Sequence, residues 1–215
     1  MEIAIAGGHG KIALELTRIL AARGDSVRSL IRNPEQEGDV RAAGGAPVVV
    51  DLETAAEEAI DEAVRGADAV VFAAGAGPGS GAARKETVDY GAAVKLIQSC
   101  ERTGVSRYLM VSAARADANV EGDEVFAVYL RAKGRADAEL VASGLDYVIV
   151  RPVILTDDPA TGRVSVADDL GELASNEIPR DDVALVLAEL LARPEASGRT
   201  INLSSGDQEV AEALA

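Results

Sequence analysis

Short apolar, β-branched runs alternate along the chain with longer stretches whose apolar positions recur every three or four residues. The short runs predict strands at 2–6 (EIAIA), 26–31 (SVRSLI), 46–50 (APVVV), 68–73 (DAVVFA), 106–112 (SRYLMVS) and 145–150 (LDYVIV). Apolar residues dominate them, as in strands buried on both faces of a parallel sheet. The longer stretches predict helices at 10–22, 35–43, 53–64, 82–103 and 124–142. The first places Ile12, Leu16, Ile19 and Leu20 at helical spacing and ends near Gly24. Repeated β-α order with right-handed crossovers implies a doubly wound α/β fold around a parallel sheet. After Pro152 the pattern loosens into a loop at 155–163, a helix at 181–192, a short strand at 199–203 and a tail helix.

No linker, repeat or low-complexity segment divides the 215 residues. We therefore expect one domain over 1–215, with the residues after about 152 forming a small substrate-side portion. Hydrophobic residues make up 48% of the chain, which suits a globular protein. The formal net charge of −15 repels nucleic acid and anionic lipid, so neither is an expected partner. Apolar runs such as 67–77 are far short of a membrane span, and the N-terminus opens as a strand without a basic signal segment. Cys100, the single cysteine, excludes an internal disulfide, fits a reducing cytoplasmic setting and reads as a small filler on a helix. Lysine occurs only at 11, 85, 95 and 133, a bias that a high-salt host and an alanine-rich genome explain equally well. The helices at 82–103 and 124–142 either form a homodimer face or cover the sheet of a monomer.

The first strand runs straight into Gly7-Gly8-His9-Gly10-Lys11-Ile12-Ala13. Gly7 permits a tight turn, Gly10 lets the backbone approach a pyrophosphate, and the small Ala13 allows close helix–strand packing. Amides at a helix N-terminus then hold the phosphates. In this strand–turn–helix context the pattern reads as a dinucleotide site, with Gly7, Gly8, His9, Gly10, Lys11 and Ile12 against the cofactor. His9, the one histidine, reads as a solvent-facing loop residue with no second ligand for a metal. Where NAD-specific folds carry an acid after the second strand, this chain has Arg32-Asn33-Pro34. A guanidinium there suits a 2′-phosphate, so NADP(H) is the expected cofactor, with NAD(H) as the alternative.

Taken together, these residues resemble an atypical short-chain dehydrogenase/reductase, a Rossmann-fold group that includes the NmrA-like and biliverdin/flavin reductase-like proteins. The likeness extends to Asp51-Leu52, to Ala73-Ala74-Gly75, to Val88-Asp89-Tyr90-Gly91, and to Ser-Gly-Leu-Asp-Tyr-Val-Ile-Val-Arg-Pro at 143–152. It implies adenine contacts at Asp51 and Leu52, a cofactor wall at Ala73, Ala74 and Gly75, and passage near the nicotinamide at Pro152 and Val153. Ser112 and Tyr129-Leu130-Arg131-Ala132-Lys133 are similar to that group's catalytic serine and Tyr-x-x-x-Lys. Residues four apart share a helix face, and a lysine beside a tyrosine favours the phenolate, which eases proton transfer to a carbonyl. Lys133 also becomes a holder of the nicotinamide ribose. Asp89 stands where better-known members carry a relay asparagine, a departure from the pattern.

The resemblance implies an enzyme, an NADP(H)-dependent oxidoreductase acting on a small carbonyl, flavin or quinone-like substrate. Two alternatives stay open: a non-catalytic NADP(H)-binding redox sensor, and a nucleotide-sugar epimerase/dehydratase-like enzyme. The segments 75–84, 113–124 and 155–178 are the expected substrate-facing ones, the first reading as a mobile closing loop. The second is acidic and would repel an anionic substrate.

Overall fold

In the computed structural model, residues 1–77 and 79–215 are described; Pro78, inside the 75–84 segment, lies outside the described residues. The first half runs β1 (Glu2–Ala6), α1 (Lys11–Ala22), β2 (Ser26–Ile31), α2 (Glu37–Ala42), β3 (Ala46–Val49), α3 (Glu57–Val64) and β4 (Ala69–Phe72). Next come α4 (Gly81–Arg84), a π-helical segment Lys85–Ala92, α5 (Ala93–Thr103), β5 (Arg107–Val111), α6 (Val125–Ala142) and β6 (Asp146–Pro152). The remainder is β7 (Ile154–Thr156), β8 (Arg163–Ala167), β9 (Glu177–Pro179), α7 (Arg180–Leu191), β10 (Arg199–Ser205), β11 (Gln208–Glu209) and α8 (Val210–Ala213).

The main sheet has nine strands in the order β11-β8-β10-β6-β5-β4-β1-β2-β3. Strand β1 explains why it is covered on both sides. Ile3 and Ile5 point into a core shared with Leu16 and Leu20 of α1 and Val183 and Leu187 of α7. Ala4 and Ala6 point the other way, toward Ile60 of α3, Leu96 of α5 and Leu140 of α6. With a period of two and both faces apolar, the strand fits only a layer between helices. This is the Rossmann arrangement expected from the β-α alternation.

The departures from expectation lie at the edge and in one helix. β8 pairs antiparallel with β10, and β11 antiparallel with β8, so the sheet is mostly rather than wholly parallel. The loop expected at 155–163 begins as β7, which pairs with β9 in a separate two-stranded sheet. The stretch expected as a helix over 82–103 is helical throughout, but not uniformly α-helical. Its π-helical turn spans 85–92 and carries Lys85 and Asp89, both buried. Such wide turns re-aim side chains and occur often at functional sites. Cys100 is fully buried, and burial pushes its thiol up to about 12, as befits a filler without reactivity.

Gly134 fixes the packing of α6 against the segment after β5. A Cβ there would lie 2.3 Å from the backbone of Asp117 and Ala118. Gly134→Ala must therefore push the loop that follows Ser112 away from the helix that carries Tyr129. We expect a loss of about 3 kcal/mol or more in a denaturant titration. An unchanged midpoint would mean that this approach is not close in solution.

Candidate cofactor cleft and active site

β1 and β4 are neighbours, yet the chain leaves β1 toward β2 on one side and returns as β4 on the other. Strand ends diverge at such a switch point and leave a crevice. Here it is a cleft of about 300 Å³, lined by the glycine turn, Arg32, Asp51, Leu52, the 73–75 segment and Arg84 among others. Gly7 has φ of +77°, and a Cβ on it would lie 2.6 Å from Ala74 Cα. A Cβ on Gly8 would lie 2.6 Å from Ser29 Cβ. The turn fits between its neighbours only without side chains.

Helix α1 begins without a side-chain cap and with no acid in its first turn. Its first amides have no acceptor inside the helix and face the cleft end of the turn. Uncapped donors with a helix dipole behind them suit the pyrophosphate of a dinucleotide. Lys11 and Ile12 present no side chain to the cleft. The Lys11 ammonium turns away to Asp157 at 2.5 Å, and the Ile12 side chain packs in the core. His9 is less free than its loop position suggested: its Nε2 lies 2.7 Å from Asp39 Oδ2 and its Nδ1 3.2 Å from Gln36.

Also lining the cleft, Arg32 is half exposed, its Nη1 3.9 Å from Glu53 Oε2. Glu53 accepts from Arg84 at 2.5 Å and from the Thr87 hydroxyl at 2.6 Å. Burial raises its carboxyl, but Arg84, Thr87 and Arg32 outweigh that and hold it below the usual range. Asp51 Oδ1 accepts the Glu53 amide at 3.0 Å, and the Lys95 ammonium binds the carbonyls of Leu52 and Glu53 at 3.1 and 2.8 Å. The expected helix over 53–64 starts only at Glu57, which leaves Glu53 in the loop with its side chain at the cleft.

A second cavity of about 500 Å³ is lined by Ser112, Tyr129, Pro152 and Val153 together with apolar residues such as Phe126, Leu130, Leu155 and Leu173. Between the two hollows sits Lys133, 3% exposed, its Nζ donating to Val111 O at 3.1 Å and Ala74 O at 3.5 Å. Asp89 Oδ1 lies 3.5 Å from that ammonium, and Oδ2 lies 4.0 Å from Lys85 Nζ and accepts the Ala76 amide at 3.3 Å. Lys85 also donates to Gly77 O at 2.9 Å and sits 5.1 Å from the centre of the Tyr129 ring. One buried acid thus holds two buried lysines, and only one of those lysines was anticipated.

The Tyr129 phenol departs from the sequence reading. Burial drives its pKa up, and the charges of Asp89 and Asp137 push the same way. Lys133, four residues on, is paired with Asp89. Behind the serine, Asp137 is 3% exposed and takes Arg151 Nε and Nη2, both at 2.8 Å, on one oxygen. Its other oxygen and the Ser112 hydroxyl are buried without a well-formed hydrogen bond. Burial raises the Asp137 carboxyl, against the pull of Ser112, Arg151 and Lys133.

Among the described residues no helix is long and apolar enough to cross a membrane. Known proteins agree with this geometry. A sugar epimerase of Bacillus subtilis, itself uncharacterized, is 37% identical over 215 residues, covering 100% of this chain and 99% of that protein. A solved Bacillus halodurans structure, named for the NAD-dependent epimerase/dehydratase group, superposes with a TM-score of 0.91 at 37% identity, covering 100% of this chain and 98% of that one. An anaerobilin reductase of Escherichia coli O157:H7 shares the fold, with a TM-score of 0.78 at 22% identity and coverage of 97% and 98%. Residues 7–194, which contain the glycine turn, both hollows and the Ser112–Tyr129–Lys133 group, match the NAD(P)H-binding family, and the chain belongs to it.

Proposed function

We propose that this protein is an NADP(H)-dependent oxidoreductase that reduces a small carbonyl, flavin or quinone-like substrate held in the apolar cavity. The observation that carries the reading is the junction of the two hollows. The serine and tyrosine line the apolar one, and Lys133 spans from Val111 beside it to Ala74 on the wall of the dinucleotide cleft. When bound, the nicotinamide supplies the hydride.

The chain's own groups divide the remaining work. The turn amides and the α1 N-terminus take the pyrophosphate, while Arg32, with Arg84 beside it, takes a 2′-phosphate. Asp51 and Leu52 border the adenine, and Ala73, Ala74 and Gly75 form the opposite wall. Lys133 holds the ribose. Tyr129 keeps its proton at neutral pH, because burial and the nearby acids raise its pKa, so it serves as the donor to a developing alkoxide. For a carbonyl substrate the alkoxide formed is more basic than the phenolate, so the transfer still runs downhill. Ser112 orients the substrate oxygen, and Asp89 fixes Lys133 and Lys85 in place of the relay asparagine.

The sugar-epimerase name of the Bacillus subtilis relative favours a second reading, a nucleotide-sugar epimerase/dehydratase. The cavity weighs against it, since most of its walls are apolar side chains and its polar ones are confined to Ser112, Arg115, Tyr129, Ser175, Asn176 and Arg180. The test is a titration with NADPH and NADH followed by nicotinamide fluorescence, in a chain without tryptophan. We expect saturable binding of both, tighter for NADPH. Absence of binding by either nucleotide would remove the proposal.

A further inference from the structure

The cavity beside Ser112 differs from the rest of the molecule in its charge. The chain carries 36 acidic and 21 basic residues, yet no Asp or Glu lines this hollow, and two arginines do, Arg115 and Arg180. Arg180 is committed to Asp157 at 2.6 Å. Arg115 is exposed, and no hydrogen bond or ion pair engages its guanidinium among the described residues. The acids of the following segment do not neutralise it; Asp117, the nearest in sequence, takes the Asn119 amide instead.

Arg115 is also held in a costly backbone conformation. The Ala116 amide donates to Ala113 O at 3.1 Å, closing a turn in which Arg115 is the third residue, with φ of +65°. It is the one non-glycine residue with positive φ among those described. Glycine or asparagine ordinarily fills that place, because a larger side chain strains there. Strained residues persist where surrounding structure or function holds them, and this one stands three residues after Ser112 at the rim of an apolar hollow.

We propose that the cavity takes an apolar substrate bearing one carboxylate, which Arg115 clamps while the reducible centre lies against Ser112 and Tyr129. This rests on the oxidoreductase reading and narrows its substrate class. It also reverses the repulsion of anions expected from the acidity of 113–124. A guanidinium at the rim of an apolar hollow binds a carboxylate through charge-assisted hydrogen bonds, and the apolar walls take the rest of the molecule.

A matched pair of fluorescent probes tests this on the full chain with saturating NADPH: 1-pyrenebutyrate and the neutral 1-pyrenebutanol. The wild type should prefer the carboxylate. Arg115→Gln and Arg115→Gly should each weaken the carboxylate about tenfold, the loss of one charge-assisted contact, and leave the alcohol within about twofold. Arg115→Lys should retain part of the preference. Arg115→Gly relieves the turn, so its melting temperature should equal or exceed that of the wild type, which separates lost binding from lost folding. Leu173→Trp, which fills the cavity, should weaken both probes. Equal weakening of the two probes by Arg115→Gln, or a carboxylate affinity that neither substitution moves, would overturn the clamp. If NADPH fails to bind while the probe pattern holds, the oxidoreductase reading falls and the anion site stands.

Discussion

Tyr129→Phe should lower the turnover of carbonyl reduction about a thousandfold, the usual worth of a positioned general acid, while NADPH affinity stays within about twofold. The phenol lines the cavity and not the dinucleotide cleft, so removing its hydroxyl leaves the cofactor's contacts alone. The ring stays as well, so its contact with Lys85 survives and the fold has no reason to change. Stopped-flow measurement of NADPH oxidation with an acceptor found by screening separates the chemical step from binding. Because the phenol is held protonated, the wild-type reductive rate should stay flat across neutral pH and fall only in strong alkali. A non-catalytic sensor predicts no turnover to lose and no effect on binding. Full activity in the phenylalanine variant would remove Tyr129 from the chemistry and shift attention to Lys85, which lies beside it.

How much of this was legible in the sequence follows from where each signal is written. The strands β1, β2, β4, β5 and β6 send buried side chains into the cores on both faces of the sheet, so their apolar runs need no partner to be recognised. The glycine turn was legible because its pattern falls within seven consecutive residues, although the atoms that demand glycine, at Ala74 and Ser29, are distant in sequence. β8 was not. Only Val164 in it is fully buried, and its ladder with β10 spans nearly forty residues of sequence. The π-helical turn was invisible because its apolar spacing imitates an α-helix until Lys85 and Asp89 are found buried side by side.

The site divides along the same line. Ser112, Tyr129 and Lys133 were singled out by their resemblance to the reductase pattern, but their electrostatics depend on groups that meet only in the fold. Asp89 reaches Lys133 from a different helix, and Arg151 on β6 reaches Asp137 on α6. A lysine four residues from a tyrosine therefore implied a lowered phenol pKa, and the fold reverses the sign by burying the phenol near Asp89 and Asp137. Glu53 and Arg84, 31 residues apart, carry no local signature at all.

That pair sets the second large effect. Arg32→Ala should weaken NADPH binding about tenfold to a hundredfold, corresponding to about 1.5–3 kcal/mol for hydrogen bonds to a charged group, and leave NADH within about threefold. Arg32 is half exposed and lines the cleft just after β2, the place from which a side chain reads the adenine ribose, the one part that differs between the two nucleotides. Glu53→Gln should move the ratio the other way. The Glu53 carboxylate lies 2.5 Å from Arg84 and 3.9 Å from Arg32, occupying with its own charge the two cations a 2′-phosphate needs. Removing that charge frees both arginines, and NADPH should tighten severalfold while NADH changes little. Raising ionic strength should shrink the NADPH preference of the wild type, because these groups are partly exposed and screened. Fluorescence titrations of the three proteins with both nucleotides decide the matter. If Arg32→Ala weakens NADH as much as NADPH, the arginine supports the cleft without reading the phosphate, and Glu53→Gln then has no preference to enhance.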